Sequence, residues 1–504
     1  MKILMLGWEY PPHISGGLGT ACEGLTTALA HRGIEIDFLV PKLYGEEDAP
    51  HMHLLGAASA APTPEVWTDA PRQMPEPFAA LLAAEPTLAT DPIFIAAVEA
   101  AQAEAVSGTA TELRTIRVPA MLKPYLDEAT YQELVTTQKL LPTDVERMFA
   151  PESHPDLPGP PALTTRLEYA HVPGGDAPIV EESASGAHYG DNLFAEVARY
   201  AMSATRRVAG EKYDLVHAHD WMTFPAGVEI AHRAGAPLLV HVHSLEYDRA
   251  GQGADRDIVS IERLGLEHAT RVIAVSYYTR KLINRVHGTS LDKISVVHNG
   301  VYARETVQAY KQQRKSTGPV VLFLGRVTFQ KGPEYFVQAA ARVLEHVPDA
   351  VFIMAGAGDM LPRMEALVKD LGITKSFRFP GWLRGAEIER AFSTADVYVM
   401  PSVSEPFGIA PLEAMSYDRP VIVSKQSGVS EVLRNALKVD FWDVDDMANK
   451  IVAVLRHSPL GETLRRHGRM EVRSLTWDGA AERCERVYRD VTGEMTHPVM
   501  SVVH

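Results

Sequence analysis

Cysteine is scarce in this chain: Cys22 and Cys484 are the only two in 504 residues. Two distant thiols exclude a disulfide framework and fit a reducing compartment. Long apolar runs are absent as well. No stretch approaches the roughly 20 residues that a membrane span requires. The apolar part of Met1–Glu9 is too short for a secretory leader. The reading is a cytoplasmic protein without a transmembrane segment, with peripheral membrane contact left open. Positive charge is in deficit: Lys and Arg total 49 against 64 Asp and Glu, a net charge of −15. That balance argues against nonspecific nucleic-acid binding, although local cations can still hold phosphate. No His/Cys group stands at metal-ligand spacing. Asp255-Arg256-Asp257 and Asp443-Val444-Asp445 both spell Asp-x-Asp, but both sit at predicted helix starts and read as caps. The length exceeds what one core holds, so two domains are expected.

What is there centres on residues 395–415. A mostly apolar run from Ala395 to Met400 reads as a buried strand. A loop with Pro406 and Gly408 follows, and Pro411 opens a helix, where its missing N–H is no loss. The backbone N–H groups of Phe407, Gly408, Ile409 and Ala410 therefore sit at a helix start, which suits an anion. Glu405 and Glu413 flank the turn. For Glu413, favourable dipole chemistry in a first helical turn is one reading; acceptance of hydrogen bonds from sugar hydroxyls is the other. Glu405 precedes the turn, beside Pro406, and fits the dipole reading less well. A nucleotide sugar carries hydroxyls and diphosphate in one molecule.

The rest of the chain reads as two doubly wound α/β domains. Residues 2–7 form a short strand; a glycine turn with Gly16 and Gly17 and a helix from Thr20 to His31 follow. This order opens a nucleotide-type fold, or is a tight turn that packs helix on strand. Residues of about 45–190 are loosely patterned and rich in Ala and Pro. They read as a partly helical insertion, with helical pieces at Pro77–Ala84 and Phe94–Ala105 and strands near Leu113–Val118 and Leu167–His171. Order returns near Asp191. Strand Leu215–Ala218 delivers His219-Asp220-Trp221 to a sheet edge, where Asp220 either orients an acceptor hydroxyl or caps the following helix. Strand Pro237–Val242 delivers His243, and His241 points to the same face. Residues 304–318 are a charged linker helix. A second domain starts at Val320–Leu324, and Gly325-Arg326 to Lys331-Gly332 places two cations on one loop at its first strand end. Cations fixed there stabilise a diphosphate leaving group as its charge develops, or else are two solvated surface charges. Gly356 and Gly358, at the next strand end, permit close approach to a nucleotide.

Glu405 and Glu413 resemble the Glu-x7-Glu motif of retaining glycosyltransferases with the GT-B fold, in glycosyltransferase family four, with kinship to glycogen and starch synthases. Gly325-Arg326…Lys331-Gly332 resembles the same family's diphosphate motif, and His219-Asp220-Trp221 and His243-Ser244-Leu245-Glu246-Tyr247 resemble synthase motifs. The resemblance implies that Glu405 contacts the transferred sugar, Glu413 the ribose, and Arg326 and Lys331 the diphosphate. It implies that His243 donates to the transferred sugar, that Gly16 and Gly17 close on the donor diphosphate, and that backbone near Trp382 and Leu383 lies by the base. Ser15 stands where the synthases usually carry Lys, and Gln426-Ser427-Gly428 replaces their glycine-rich motif.

The implied organisation is an acceptor-side domain at 1–303, a linker at 304–318, a donor domain at 319–475 and a returning helix within 476–504. The implied activity is transfer of a hexosyl, in the first place glucosyl, unit from UDP- or ADP-glucose to a sugar hydroxyl, with an α-glucan as acceptor. No cofactor or metal is expected, and oligomeric state is left open. The alternatives are a small-molecule or lipid-linked acceptor, a nucleotide-sugar epimerase or hydrolase, and a non-catalytic nucleotide-sugar sensor.

Overall fold

The computed structural model describes residues 1–12, 17–57, 193–302 and 318–493. The expected helices and strands of the 58–190 stretch, the linker helix and Gly16 lie outside these residues. Two parallel sheets carry the fold. The first holds β1 (Lys2–Leu6), β2 (Glu35–Val40), β3 (His53–Gly56), β4 (Leu215–His219), β5 (Leu238–Val242), β6 (Arg271–Ala274) and β7 (Ile294–Val296), in the order β3-β2-β1-β4-β5-β6-β7. Its helices are α1 (Gly17–His31), α2 (Leu193–Arg207), α3 (Phe224–Ala234), α4 (Glu246–Ala250), α5 (Arg256–His268) and α6 (Tyr277–His287). β3 falls inside the stretch read as insertion, so the first sheet takes up the chain as far as Gly56.

The second sheet holds β8 (Val320–Leu324), β9 (Val351–Ala355), β10 (Phe377–Gly381), β11 (Val397–Met400), β12 (Val421–Ser424) and β13 (Leu437–Val439), in the order β10-β9-β8-β11-β12-β13. Its helices are α7 (Pro333–His346), α8 (Leu361–Asp370), α9 (Ala386–Thr394), α10 (Ala410–Ser416), α11 (Val429–Val432), α12 (Val444–Arg456) and α13 (Ser458–Val472); α14 (Trp477–Val491) follows. No helix of the described residues is long and apolar enough to cross a membrane.

The strands are near-continuous apolar runs because helices cover both faces of each sheet. Alternation then sorts the side chains. Ile3 and Met5 pack on one face with Cys22 and Leu25 of α1, and Leu4 and Leu6 pack on the other with Val197 of α2 and Ile230 of α3. The first face is completed by the chain's last described helix. Trp477, Ala481, Cys484 and Tyr488 of α14 lie in the same cluster as Ile3 and Met5, and Arg32, directly after α1, pairs with Glu485 at 2.5 Å. Gly24 of α1 makes this packing possible, since a Cβ there would meet the Trp477 ring at 2.2 Å.

In each sheet the strand order reverses once, at β1/β4 and at β8/β11. Loops diverge there and leave a crevice at the carboxyl ends of the strands, the place where open α/β sheets bind ligands. Loops from both sheets meet beside these crevices. Ser276 Oγ and Thr279 Oγ1, at the start of α6, donate to the Pro406 carbonyl at 2.6 and 3.1 Å. The Glu431 carboxylate of α11 accepts from the Tyr277 and Tyr278 amides, satisfying donors that a helix start leaves open.

Candidate active site

The second crevice brings together the residues of the Gly-Arg…Lys-Gly and Glu-x7-Glu patterns. After β8 the chain makes a 3-10 turn, Phe329–Lys331, that ends in Gly332 at φ 62°. A Cβ on Gly332 would meet the Pro401 carbonyl oxygen at 2.2 Å. The Val403 amide donates to the Gln330 carbonyl at 2.9 Å. The exits of β8 and β11 are thus laid directly on one another, and Lys331 Nζ stands 2.6 Å from Glu405 Oε2. Ser402 Oγ donates to the same oxygen at 3.1 Å. The Glu405 backbone is pinned by its amide to the Gln426 carbonyl at 3.0 Å and by its carbonyl to the Gly428 amide at 2.9 Å. Arg326, on the same turn, donates to Gln330 Oε1 at 3.3 Å. Among the described residues, Lys331 therefore engages Glu405, a contact that the resemblance did not imply.

Several of the expected residues also have structural roles. Gly356 was read as room for a nucleotide. A Cβ there would meet the Gly325 carbonyl oxygen at 1.8 Å, and one on Gly358 would meet the Val327 carbonyl oxygen at 2.2 Å. Both glycines let the Arg326 loop lie flat on the neighbouring strand exit. Phe407 is buried, its ring in the core beneath α10, and its carbonyl accepts from the Val429 amide at 2.7 Å. Gly408 takes φ 96°, a conformation that disfavours any side chain. Ile409 is half-buried, and Glu413 stands in the first turn of α10, which opens at Ala410. Trp382 is exposed at the end of β10, whereas Leu383 packs against the core. Gly17 is the first residue of α1 and exposed; two residues on, the Gly19 amide donates to Glu9 Oε1 at 3.2 Å.

The first crevice holds Asp220 and His243. Asp220 sits at φ 60°, ψ 166°, a strained setting for a residue with a Cβ. Its side chain does not cap the turn that follows, so the capping reading does not hold. Its Oδ1 instead accepts from the His243 amide at 2.6 Å and the Ser244 amide at 3.2 Å. Asp220 is thus the bracket that fixes the His243 loop. Burial pushes its carboxyl up to about 7, against the lowering influence of Arg249 and these amides. Burial drives the His243 imidazole down to about 3, so at neutral pH it is an uncharged ring. Its Nε2 lies 3.0 Å from His219 Nδ1.

His243 belongs to a file of four histidines. His217 and His219 alternate on β4, His241 lies on β5 and His243 directly after it, all on the α1/α14 face. Their ring centroids are 4.2 to 5.3 Å apart. The sequence offered no metal-ligand spacing within one segment; the pairing of β4 with β5 assembles two groups of ligand type, Cys22/His219/His243 and His217/His219/His241.

α4 joins the two crevices. It packs on the Phe329–Lys331 turn, and its Asp248 accepts from Ser404 Oγ at 2.6 Å, two residues after Ser402 and next to Glu405. Tyr278 of α6 lies 2.8 Å from the same hydroxyl. Behind α4, Arg249 donates to Glu246 at 3.0 Å and to Ser244 Oγ at 2.5 Å, and Glu262 accepts from the Glu246 amide at 2.6 Å. Asp248, Ser404, Arg249 and Glu262 were not found in the sequence. The one signal for them was the density of charge in Glu246–Arg249, directly after His243, on a segment that has to be buried.

Comparison with known proteins agrees with this geometry. Residues 306–470 match the glycosyl transferases group 1 family, 161–305 match glycosyltransferase family 4, and 2–77 match the starch synthase catalytic domain. An uncharacterized glycosyltransferase of Methanocaldococcus jannaschii is 32% identical over 296 residues, 55% of this chain and 76% of that protein. A glycogen synthase of Mycobacterium tuberculosis is 27% identical over 55% of this chain and 68% of its own length. Among solved structures, a sucrose-phosphate synthase from Thermosynechococcus elongatus superposes with a TM-score of 0.61 at 20% identity, covering 98% of this chain and 100% of that one. The catalytic domain of starch synthase IV from Arabidopsis thaliana, bound to ADP and acarbose, gives 0.58 at 14% identity over 98% and 99%. The protein belongs to glycosyltransferase family four, is similar to glycogen and starch synthases, and is a transferase of the GT-B fold.

Proposed function

We propose that the protein is a retaining hexosyltransferase that moves a glucosyl unit from UDP- or ADP-glucose to a hydroxyl of an α-glucan. The observation that carries this reading is the Lys331–Glu405 pair at 2.6 Å, with Arg326 on the same turn and the His243 loop joined to it through α4. The donor diphosphate binds against Arg326 and Lys331 near the start of α10. Lys331 turns from Glu405 to the phosphate as the sugar–oxygen bond breaks, and the fixed cations stabilise the charge that collects on the leaving group. The released Glu405 carboxylate accepts hydrogen bonds from hydroxyls of the transferred sugar, and Glu413 accepts from the ribose. His243, uncharged, donates from its ring to the sugar and holds the anomeric carbon toward the acceptor.

Retention follows from attack on the face that the leaving group departs, with a phosphate oxygen taking the acceptor proton. Glu405 positions and stabilises, and no covalent glycosyl-enzyme forms. The transfer step uses no metal, because Arg326 and Lys331 neutralise the diphosphate. The α-glucan acceptor is supported by the relative named a glycogen synthase and by the neighbour that holds ADP and acarbose.

The test is nucleotide release from UDP-, ADP- and GDP-sugars, with and without glycogen or maltooligosaccharides, and with and without added Mg2+ or Mn2+. Release that needs one donor and the glucan, indifferent to the added metal, is the expected outcome. Donor turnover that no glucan accelerates would move the acceptor to small-molecule or lipid-linked sugars. Donor binding without transfer to any acceptor would leave a sensor.

A further inference from the structure

The histidine file raises a problem of its own. His217, His219 and His241 are all but inaccessible to solvent, at 0, 0 and 1% exposure. His217 Nε2, His219 Nε2 and both ring nitrogens of His241 find no hydrogen-bond partner among the described residues. Buried polar atoms without partners are rare in folded proteins, and each is costly to leave unpaired. Here they converge: one ligand atom from each ring lies within 4.8 Å of the others. The remaining nitrogens of two of the rings are held from behind. His217 Nδ1 is 2.8 Å from the Tyr488 hydroxyl of α14, and His219 Nδ1 is 3.0 Å from His243 Nε2. A ring whose far N–H is fixed by a partner while its near nitrogen faces other imidazoles is in the arrangement that metal-binding histidines adopt.

We propose that His217, His219 and His241 form a binding site for a divalent transition metal of the zinc class. The donors are imidazoles, with no carboxylate among them, which excludes hard cations such as Mg2+ and Ca2+ and selects zinc or a neighbour of it. Nitrogens around zinc at about 2.0–2.1 Å lie about 3.4 Å apart, so the three rings draw in by about 1 Å or less on binding, within reach of side-chain rotation. The metal takes Nε2 of His217 and of His219. Their Nδ1–H groups then donate to the Tyr488 oxygen and to His243 Nε2, which fixes the tautomer of His243 as well. The site joins β4 and β5 to α14 through Tyr488, so occupancy holds the returning helix on the first sheet. Cys22 Sγ, with His219 and His243, forms the competing group.

The experiment is direct zinc binding to the full chain after removal of metal by a chelator, read by competition with a chromophoric chelator and by elemental analysis. Tetrahedral Co2+ absorption serves as the second probe. One zinc per chain is expected, with a raised melting temperature in excess zinc. His241→Ala should abolish stoichiometric binding, Cys22→Ser should retain it, and Tyr488→Phe should weaken it by about 10–100-fold while keeping all three ligands. If the unmodified chain binds no zinc or cobalt at micromolar concentration, the proposal is wrong. It is equally wrong if Cys22→Ser loses the metal while His241→Ala keeps it. None of these readouts depends on glycosyl transfer.

Discussion

Lys331 and Glu405, from the exits of two neighbouring parallel strands, form an ion pair 2.6 Å across with Ser402 on the same carboxylate oxygen. The pair orders both side chains before a donor arrives and keeps the cation near where the diphosphate comes to lie. Glu405→Gln keeps the shape but weakens the acceptance of hydroxyl protons, and kcat should fall by about 10²–10³-fold. Lys331→Ala should lower kcat and raise KM for the donor together. Because the two residues act as a unit, the double variant should cost less than the sum of the single losses. Steady-state kinetics of the three variants checks this, and full transfer activity in Glu405→Gln would remove Glu405 from the step.

The imidazole of His243 sits at about 3, far below the usual histidine range. The pH profile of kcat/KM should therefore show no limb from this residue between pH 5 and 8. His243→Ala should lower kcat by about 10²-fold without changing the profile's shape over that range. A limb near pH 6.5 that vanishes in His243→Ala would show a charged, titrating histidine instead.

Asp220, raised to about 7 by burial, binds a proton in the folded chain at pH values where the unfolded chain has released it. The folded state is favoured by this group below about pH 4, and the advantage is lost as pH rises through about 7. A shift of this size corresponds to about 4 kcal/mol. Asp220→Asn, which also presents an oxygen to the His243 and Ser244 amides, should remove that slope. Urea midpoints at pH 5 and pH 8, wild type against variant, measure it; equal slopes would mean that Asp220 is ionised in the fold.

Ser404 donates to a carboxylate that is 1% exposed. Removing the hydroxyl leaves Asp248 without this partner and Tyr278 without its contact. Ser404→Ala should destabilise the protein by about 1–3 kcal/mol and weaken the hold of the first sheet's loops on the Lys331 turn. The outcome to read is a lower urea midpoint together with a higher donor KM. An unchanged KM would limit the contact to stability.

Gly356→Ala should be among the most damaging single-methyl changes, since the Cβ would meet the Gly325 carbonyl at 1.8 Å. The Arg326 loop must move, so donor affinity should fall along with a stability loss of more than about 2 kcal/mol. Tryptophan-monitored unfolding and donor titration read the two effects separately.

Much of this molecule could be read from its residues. Val320–Leu324 has the same boundaries in sequence and structure, and the next helix starts at Pro333 in both, because an unbroken apolar run and an N-terminal proline are local signals. Asp255 and Asp443 do cap their helices, as their positions suggested. β13 (Leu437–Val439) and α13 (Ser458–Val472) were passed over; one is three residues long, and the other has little apolar surface to mark its face. In the candidate site, the place of Arg326, Lys331 and Glu405 after neighbouring strand ends was legible. The structural reason for Gly356 was not, since a carbonyl from another loop supplies it. The histidine file was hidden for a related reason. His-x-His on a strand marks a shared face, but only the register of His219 against His241 makes four rings neighbours.

The position of α14 bears on how the chain is made. The first sheet begins at residue 2, yet the helix that completes one of its faces begins at Trp477. On the ribosome that face, with Ile3 and Met5, has only α1 to cover it while almost the whole polypeptide is synthesised. The contact spans nearly the full sequence and forms late, and the nascent first half carries an exposed apolar surface until then. A premature stop shortly before Trp477 would thus spare every strand of both sheets and still leave α1 alone on one face of the first.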